Sequence, residues 1–379
     1  MLRVISRNIY GLKNPIYAAS ALALASFGDA FLYPFLPQYA EVLNVPVVWV
    51  GLLLSINRFI RIAFNPVVVR LFAKYGVRKI TILASVLAVI STMGYGLGWG
   101  LMSLIFFRIV WGMAFAILRI SSMAYAFENG QAGMSLGIAK SVQETGPLLA
   151  LWLGPVLLNN FDAGNTFFIL AVISLPAVFY ASALPDLKYV PATAKTIIFR
   201  LPSLFNSMTF TVSFVVEGIL VVVIGLFLSA NNIAESSITI TALAAAYLAF
   251  RRVCFILFSP VSGLIADRVG FIKVFNASML MIIFGLILLL SGWVSIGLII
   301  IFAFNSINST MAPGGASGNE TDKIRAVALN ATWRDIGAAA GALAGGFLLS
   351  ASFLFESFIF ATFILAVLLF FHYRQTKKA

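Results

Sequence analysis

Residues 53–76, LLSINRFIRIAFNPVVVRLFAKYG, and residues 247–270, YLAFRRVCFILFSPVSGLIADRVG, align without a gap. Leu54/Leu248, Arg58/Arg252, Ile62/Ile256, Phe64/Phe258, Pro66/Pro260, Val67/Val261 and Gly76/Gly270 are identical. Each copy is a long apolar stretch of the kind that crosses a bilayer as a helix. Further out, Ser135–Leu158 aligns with Ala326–Leu349, pairing Glu144 with Asp335, Gly146 with Gly337 and Gly154 with Gly345. Asp29 and Glu217 lie at like depths in the first helix of each half. The period is about 190 residues, half the chain. Three matches in order, at nearly one offset, describe two six-helix halves in parallel repeat, the layout of a secondary transporter.

Composition agrees. Of 379 residues 61% are hydrophobic and 10% charged, with mean hydropathy +1.02. Soluble domains carry about 25% charged residues. Twelve helices of ~23 residues take up ~275 positions, leaving ~100 for loops and tails, too few for a large soluble domain such as a fused ATPase. Runs such as Met279–Leu290 lack the alternation of a transmembrane barrel. The expected fold is therefore an all-α membrane protein with spans at 16–38, 47–72, 79–98, 101–127, 135–158, 165–184, 203–229, 237–265, 272–291, 295–311, 326–350 and 353–373. Residues 1–184 would form an N-terminal six-helix bundle, 185–202 a basic linker, and 203–379 a C-terminal six-helix bundle. The first apolar run starts after Arg3, Arg7 and Lys13 and is full length, unlike a cleavable signal peptide.

The net charge is +12, which in a soluble protein would suggest nucleic acid. Here the loops explain it. Seventeen Lys and Arg fall at the termini and in the loops after spans 2, 6, 8 and 10, all on one side; the opposite side has only Glu41, Asp162 and Glu235. The positive-inside rule puts both termini in the cytoplasm and makes nucleic acid an unlooked-for partner. Short loops and a single cysteine, Cys254, fit a prokaryotic inner membrane and exclude a disulfide framework. The single histidine, His372, excludes His-rich metal sites and His-based catalysis. No cofactor is expected, and the chain reads as a monomer in the bilayer.

Several local patterns carry a family resemblance. Gly263-Leu-Ile-Ala-Asp267-Arg268-Val-Gly270-Phe-Ile-Lys273 matches a loop signature between the second and third helices of a half. Its N-terminal copy keeps Lys74, Gly76, Arg78 and Lys79 but has Val69 and Ala73 for the first glycine and the acid. Arg108 and Gly112 match a fourth-helix motif, and Gly137, Gly146-Pro147 and Gly154-Pro155 partly match a fifth-helix Gly-Pro motif of antiporters. On these residues the chain resembles the major facilitator superfamily, over essentially its whole length, and its 12-helix proton-coupled exporters in particular. The resemblance implies two bundles rocking about a midplane site. It implies a gate on the cytoplasmic side at Gly263, Asp267, Arg268, Gly270, Lys74 and Gly76, with Lys140 and Arg334 at the inner ends of the fifth and eleventh helices. It also implies a part in proton transfer for Arg108.

Ionisable groups at bilayer depth are costly and mark function. Beyond the seventeen loop cations remain Arg58, Arg61, Arg108, Arg119, Lys140, Arg251, Arg252 and Arg334; the deep acids are Asp29, Glu144, Glu217 and Asp335. They fall on spans 1, 2, 4, 5, 7, 8 and 11, those which the family places around its cavity. Asp29 and Glu217 are mid-helix without a charged neighbour in sequence. Burial favours a neutral carboxyl and an adjacent guanidinium a charged one, so such a group can load a proton on one face and release it on the other. Proton coupling is therefore assigned to Asp29 and Glu217, with Arg108, Glu144 and Asp335; the other reading is a permanent pair with Arg58 or Arg252. Lys140 with Glu144, and Arg334 beside Asp335, also read as structural ion pairs. Arg61 and Arg119 also read as snorkelling to the interface. Eight cations against four acids favour an anionic substrate, held by Arg58, Arg252 and Arg251 through two-point bonding, with Asn57, Gln143, Asn305 and Asn308 as polar contacts.

Enzyme readings fail on composition. Gly315-Ala316-Ser317-Gly318 spells a rhomboid-type serine motif, yet the only histidine is His372; the stretch follows Pro313 and reads as a polar loop. No nucleotide-binding Gly-x-x-x-x-Gly-Lys-Ser/Thr occurs. The leading expectation is a proton-coupled exporter of a small, anionic organic solute. The alternatives are a proton-coupled importer of an organic anion and a multidrug exporter of lipophilic cations.

Overall fold

A computed structural model describes residues 2–46, 49–128, 130–190, 201–230, 237–318, 320–348 and 353–378. Among them every regular element is helical, and the helices form twelve spans. In the first half these are α1 (Leu2–Ala25 and Phe27–Tyr39), α2 (Val50–Tyr75), α3 (Val77–Tyr95), α4 (Leu101–Phe127), α5 (Ala132–Asn160) and α6 (Ala163–Ser174 and Pro176–Ser182). In the second they are α7 (Leu204–Val212, a π turn Ser213–Ile219, and Leu220–Ala230), α8 (Ser237–Val269), α9 (Phe271–Leu290), α10 (Val294–Ser317), α11 (Lys323–Leu348) and α12 (Leu354–Lys378). Backbone contacts group them into two units, Met1–Ala194 and Lys195–Ala379. The linker cations Lys195 and Arg200, and Glu235, lie outside the described residues.

Ten spans are long and apolar enough to cross a membrane. The other two, α5 and α11, carry Lys140 with Glu144 and Arg334 with Asp335 in their interiors. They are fifth in their units, and their lower hydropathy is the cost of those charges.

Three helices depart from the sequence expectation. α1 begins at Leu2 and breaks at Ser26, whose Oγ donates to the Leu22 carbonyl at 2.7 Å while its amide is shared between the Leu22 and Ala23 carbonyls. Such back-bonding bends a helix. α7 opens into a π turn at Ser213–Ile219. α10 runs through Pro313 to Ser317, where a polar loop was expected. Gly314 lies against the Phe271 ring and Gly315 against the Phe205 ring, so small residues that suggest a turn serve close packing instead.

In the first unit, one end joins α3, α4 and the segment after α6. Val77 N donates to Leu187 O at 3.3 Å, and Tyr125 Oη to Pro185 O at 2.9 Å. At the other end Asn44, left-handed at φ 56°, donates through Nδ2 to Gly98 O at 2.8 Å. Asp162 caps α6 by accepting from Asn165 N at 3.1 Å, and that bond holds its carboxyl below the usual range. Burial pushes Glu128, just beyond α4, up. The core between α1, α3 and α6 is aromatic: Phe31, Phe35 and Tyr95 converge on Phe167 at ring distances of 5.3–6.0 Å.

Glycines seat the fifth helix of each unit on the first. A Cβ on Gly146 would fall on the Ala23 carbonyl, and one on Gly154 on the Phe31 ring. In the second unit a Cβ on Gly337 would meet the Phe210 carbonyl and one on Gly341 the Phe214 carbonyl, while Gly345 abuts Ile219. Gly337, Gly341 and Gly345 recur every four residues, so one helix face brings backbone against backbone. The first helices, which carry Asp29 and Glu217, are thereby clamped at the depth of those acids.

Candidate functional site

In the first unit the site begins with Asp29, three residues past the break in α1. Its Oδ1 forms an ion pair with Arg108 Nη1 of α4. Arg108 is completely buried, and its other donors are also placed: Nε to Leu53 O at 2.8 Å and Nη2 to Leu54 O at 3.0 Å. Both carbonyls belong to α2, and a carbonyl oxygen has a second lone pair for such a bond. Tyr33 Oη also donates to Leu54 O, at 3.2 Å, and its ring faces the guanidinium at 5.6 Å. Asn57 Nδ2 reaches Asp29 Oδ1 at 3.5 Å. The partner of Asp29 is thus Arg108 on α4, where the sequence offered Arg58 on α2. Sequence reasoning missed Tyr33 and the two α2 carbonyls, because nothing in a residue string marks a backbone oxygen as an acceptor.

Two further clusters lie in this unit. Lys140 Nζ donates to Glu144 Oε1 at 2.6 Å, the helical pair expected from spacing, and Gln143 Nε2 donates to Ser122 Oγ at 2.8 Å. Arg61 and Arg119 both face the Phe115 ring, at 4.8 and 5.6 Å, and Arg119 Nη2 reaches Asn65 Oδ1 at 3.4 Å.

In the second unit the π turn presents Glu217, 9% exposed. Arg334 of α11 grips it at two points, Nε to Oε2 at 3.1 Å and Nη2 to Oε1 at 2.7 Å. Arg251 Nη2 of α8 lies 3.5 Å from Oε1, and Ser309 Oγ of α10 donates to the same oxygen at 3.3 Å. Arg334, expected beside Asp335 or at the gate, is brought to a carboxylate on another helix. Ser309 was not foreseen; its only sequence signal is the polar run Asn305–Ser309. Asn305 is fully buried one turn from Ser309. Asn308 points elsewhere, donating to Phe275 O at 3.3 Å and Ser278 Oγ at 3.0 Å of α9. Asp335 is buried in α11, and Arg58 and Arg252 are half-buried at repeat-related positions.

The expected gate residues sit at the α2–α3 and α8–α9 turns. Gly76 (φ 85°, ψ 152°) and Gly270 (φ 94°, ψ 146°) have nearly the same conformation, one reserved for glycine. Gly76 N donates to Phe72 O at 2.9 Å and Gly270 N to Ala266 O at 2.8 Å. Lys74 lies over the Tyr75 ring at 5.0 Å; Asp267 and Arg268 are exposed and Gly263 is buried.

Each unit therefore holds a carboxylate on the irregular first helix, half-buried at Asp29 and buried at Glu217, held by arginine from a later helix. Such a group can exchange a proton against an ion pair. Among the described residues no cluster of His, Cys, Asp and Glu could hold a metal.

Comparison with known proteins shows the family and the fold. A family model described as Major Facilitator Superfamily matches residues 18–211, over half of the chain. No curated protein matches the sequence. Among solved structures, the human organic anion transporter MFSD10 (TETRAN) superposes with TM-score 0.75 at 12% identity, covering 95% of this chain and 99% of its own. The proton:xylose symporter XylE, bound to 6-bromo-6-deoxy-D-glucose, superposes with TM-score 0.74 at 13% identity, covering 97% and 96%. At such identities the likeness is one of fold.

Proposed function

This chain belongs to the major facilitator superfamily, and from that premise we propose that it is a proton-coupled secondary transporter of a small organic solute, working by alternating access with both termini in the cytoplasm. Membership makes it a multi-pass membrane transporter. The observation that carries the proton coupling is the recurrence, in each unit, of an acid on the first helix bonded to a buried or half-buried arginine: Asp29 to Arg108, Glu217 to Arg334. A charge inside a membrane protein is retained where it lines a substrate or ion pathway. The two acids lie at like depths in their units, while their arginine partners come from the fourth helix in one and the fifth in the other, so each unit offers a carboxylate able to trade an ion pair for a proton.

The sense of the flux follows from how proton and solute share a site. Competition gives exchange and export; joint occupancy gives import. The Gly-Pro pattern behind the expectation of export sits where Gly146 and Gly154 pack α5 on α1, a role that serves either direction. The geometry around Glu217 supports joint occupancy.

Proteoliposomes holding a pH-reporting dye test the reading. Benzoate, tetraphenylphosphonium and glucose are added in turn. The expected result is a change of internal pH with one class of solute only, lost when Asp29→Asn and Glu217→Gln are combined. Full proton-linked flux in that double variant would sink the assignment.

A further inference from the structure

We propose that Glu217 is the internal occupant of an anion site in the second unit, and that a proton on Glu217 hands this site to the carboxylate of an organic solute. The proposal rests on the proton-coupled reading above and names its substrate class.

The donors come from three helices. Arg334 of α11 supplies the two-point fork, Nε to Oε2 at 3.1 Å and Nη2 to Oε1 at 2.7 Å. Arg251 of α8 and Ser309 of α10 both reach Oε1. A planar guanidinium on both oxygens is how arginine recognises any carboxylate. Nothing in it singles out one that belongs to the chain, so a carboxylate carried by a solute fits the same donors. The Arg251 guanidinium also lies 5.8 Å from the Phe255 ring, an apolar wall for the body of such a solute.

Two independent observations mark the place as one built for a ligand. Glu217 sits in a π turn, a rare geometry that recurs at functional sites. Asn305, on the Ser309 face of α10 and one turn away, has 0% exposure, and neither its Oδ1 nor its Nδ2 has a hydrogen-bond partner among the described residues. A buried amide without partners is costly to keep. Asn305 thus keeps donor and acceptor capacity unused one turn from Ser309.

The exchange conserves charge. With Glu217 ionised, its carboxylate holds the guanidiniums and repels an arriving anion. With Glu217 protonated, its hold weakens and the solute carboxylate takes Arg334 and Arg251. One proton and one monoanion enter together. Other charged groups on the neighbouring helices are Lys323, Arg325 and Asp335 of α11, Arg252, Asp267 and Arg268 of α8 and Lys273 at the start of α9; α10 has none. On α12, Phe355 packs on Phe227 and His372 on Phe205, which puts Glu356 and His372 toward opposite ends of α7, ~15–18 Å along the helix from Glu217.

By linkage, a site that takes up a proton with its anion binds that anion about tenfold more tightly per unit fall in pH, while Glu217 is ionised empty and protonated filled. Full-length protein in detergent is titrated calorimetrically with benzoate and with benzenesulfonate, which stays ionised at every pH used. The expected result is that pH dependence for both, with one proton taken up per anion, read in two buffers of different ionisation heat. This measurement needs no variant. Glu217→Gln should bind both anions independently of pH, as tightly as the wild type does at low pH, and Arg334→Gln should bind neither. Binding without proton uptake, pH dependence that survives in Glu217→Gln, or no binding of either anion overturns the proposal. Failure of the wider reading looks different. If glucose or tetraphenylphosphonium moves protons while benzoate does not bind, the anion site falls and coupled transport stands. If benzoate binds with a proton but no solute crosses proteoliposomes, the transport reading falls and the anion site stands.

Discussion

At the scale of single residues, the two carboxylates keep different company. Arg108 is completely buried, and each of its three nitrogens has an acceptor: Asp29 and the Leu53 and Leu54 carbonyls. Removing one member of a buried pair leaves the other charge uncompensated, at a cost of about 3–5 kcal/mol. Arg108→Leu should therefore destabilise the protein by about that much, because Asp29 and two α2 carbonyls lose their donor. Arg108→Lys should recover only part, since an ammonium cannot span three acceptors set around a planar fork. Combining Arg108→Leu with Asp29→Asn should cost less than Arg108→Leu alone. A double-mutant cycle in chemical denaturation measures the coupling; strictly additive energies would show that the pair does not act as one. The depth of these charges was legible in the sequence, because a lone Asp or Arg amid twenty apolar residues declares itself. Their partners were not. Pairing depends on how neighbouring helices are rotated, and repeat symmetry drew attention to Arg58 and Arg252 while the guanidiniums on the acids are those of Arg108, Arg334 and Arg251.

At the scale of helices, the spans could be read because a bilayer demands about twenty apolar residues for each. Their irregularities could not. The α1 break rests on one hydroxyl, Ser26, in a run that is otherwise helical in character. The π turn of α7 falls in a uniformly apolar stretch that offers no local cue, and α10 passes Pro313 because two phenylalanine rings fill the space beside Gly314 and Gly315. Glycine content proved the better guide, since α5 and α11 approach the first helices closely where a side chain has no room. Gly146→Ala and Gly341→Ala should each destabilise by about 1–3 kcal/mol, as overpacking does, because the new methyl meets the Ala23 or Phe214 carbonyl. Gly51→Ala on α2, with nothing within 4 Å of its Cβ position, should instead raise stability by about 0.4–1 kcal/mol through the unfolded chain. Thermal unfolding of the three variants in one detergent decides it. Equal losses at all three sites would mean that helix propensity, and not close approach, governs these positions.

At the scale of the molecule, duplication shows in backbone geometry as well as in residues: Gly76 and Gly270 end the second helix of their units in nearly one conformation. The units then diverge around the two acids, with one arginine paired with Asp29 and both Arg251 and Arg334 with Glu217. The same alternation fixes which loops share a side. Seventeen lysines and arginines gather near the termini and around the α2–α3, α6–α7, α8–α9 and α10–α11 connections, and none around the α1–α2, α5–α6 and α7–α8 connections. Insertion retains short basic loops in the cytoplasm, so this asymmetry predicts the orientation proposed above, with both termini inside. Tyr75, 48% exposed at the end of α2, should then face the cytoplasm, and Phe161, 48% exposed between α5 and α6, the exterior. Single cysteines at these positions report on this, because the natural Cys254 is buried and gives little background. A membrane-impermeant maleimide added to intact cells should label Phe161→Cys at once and Tyr75→Cys only after the membrane is opened. The reverse pattern would place the basic loops outside. It would also invert the sense of every proton-linked flux argued for Glu217, because the side on which that carboxylate meets the higher proton concentration would change with it.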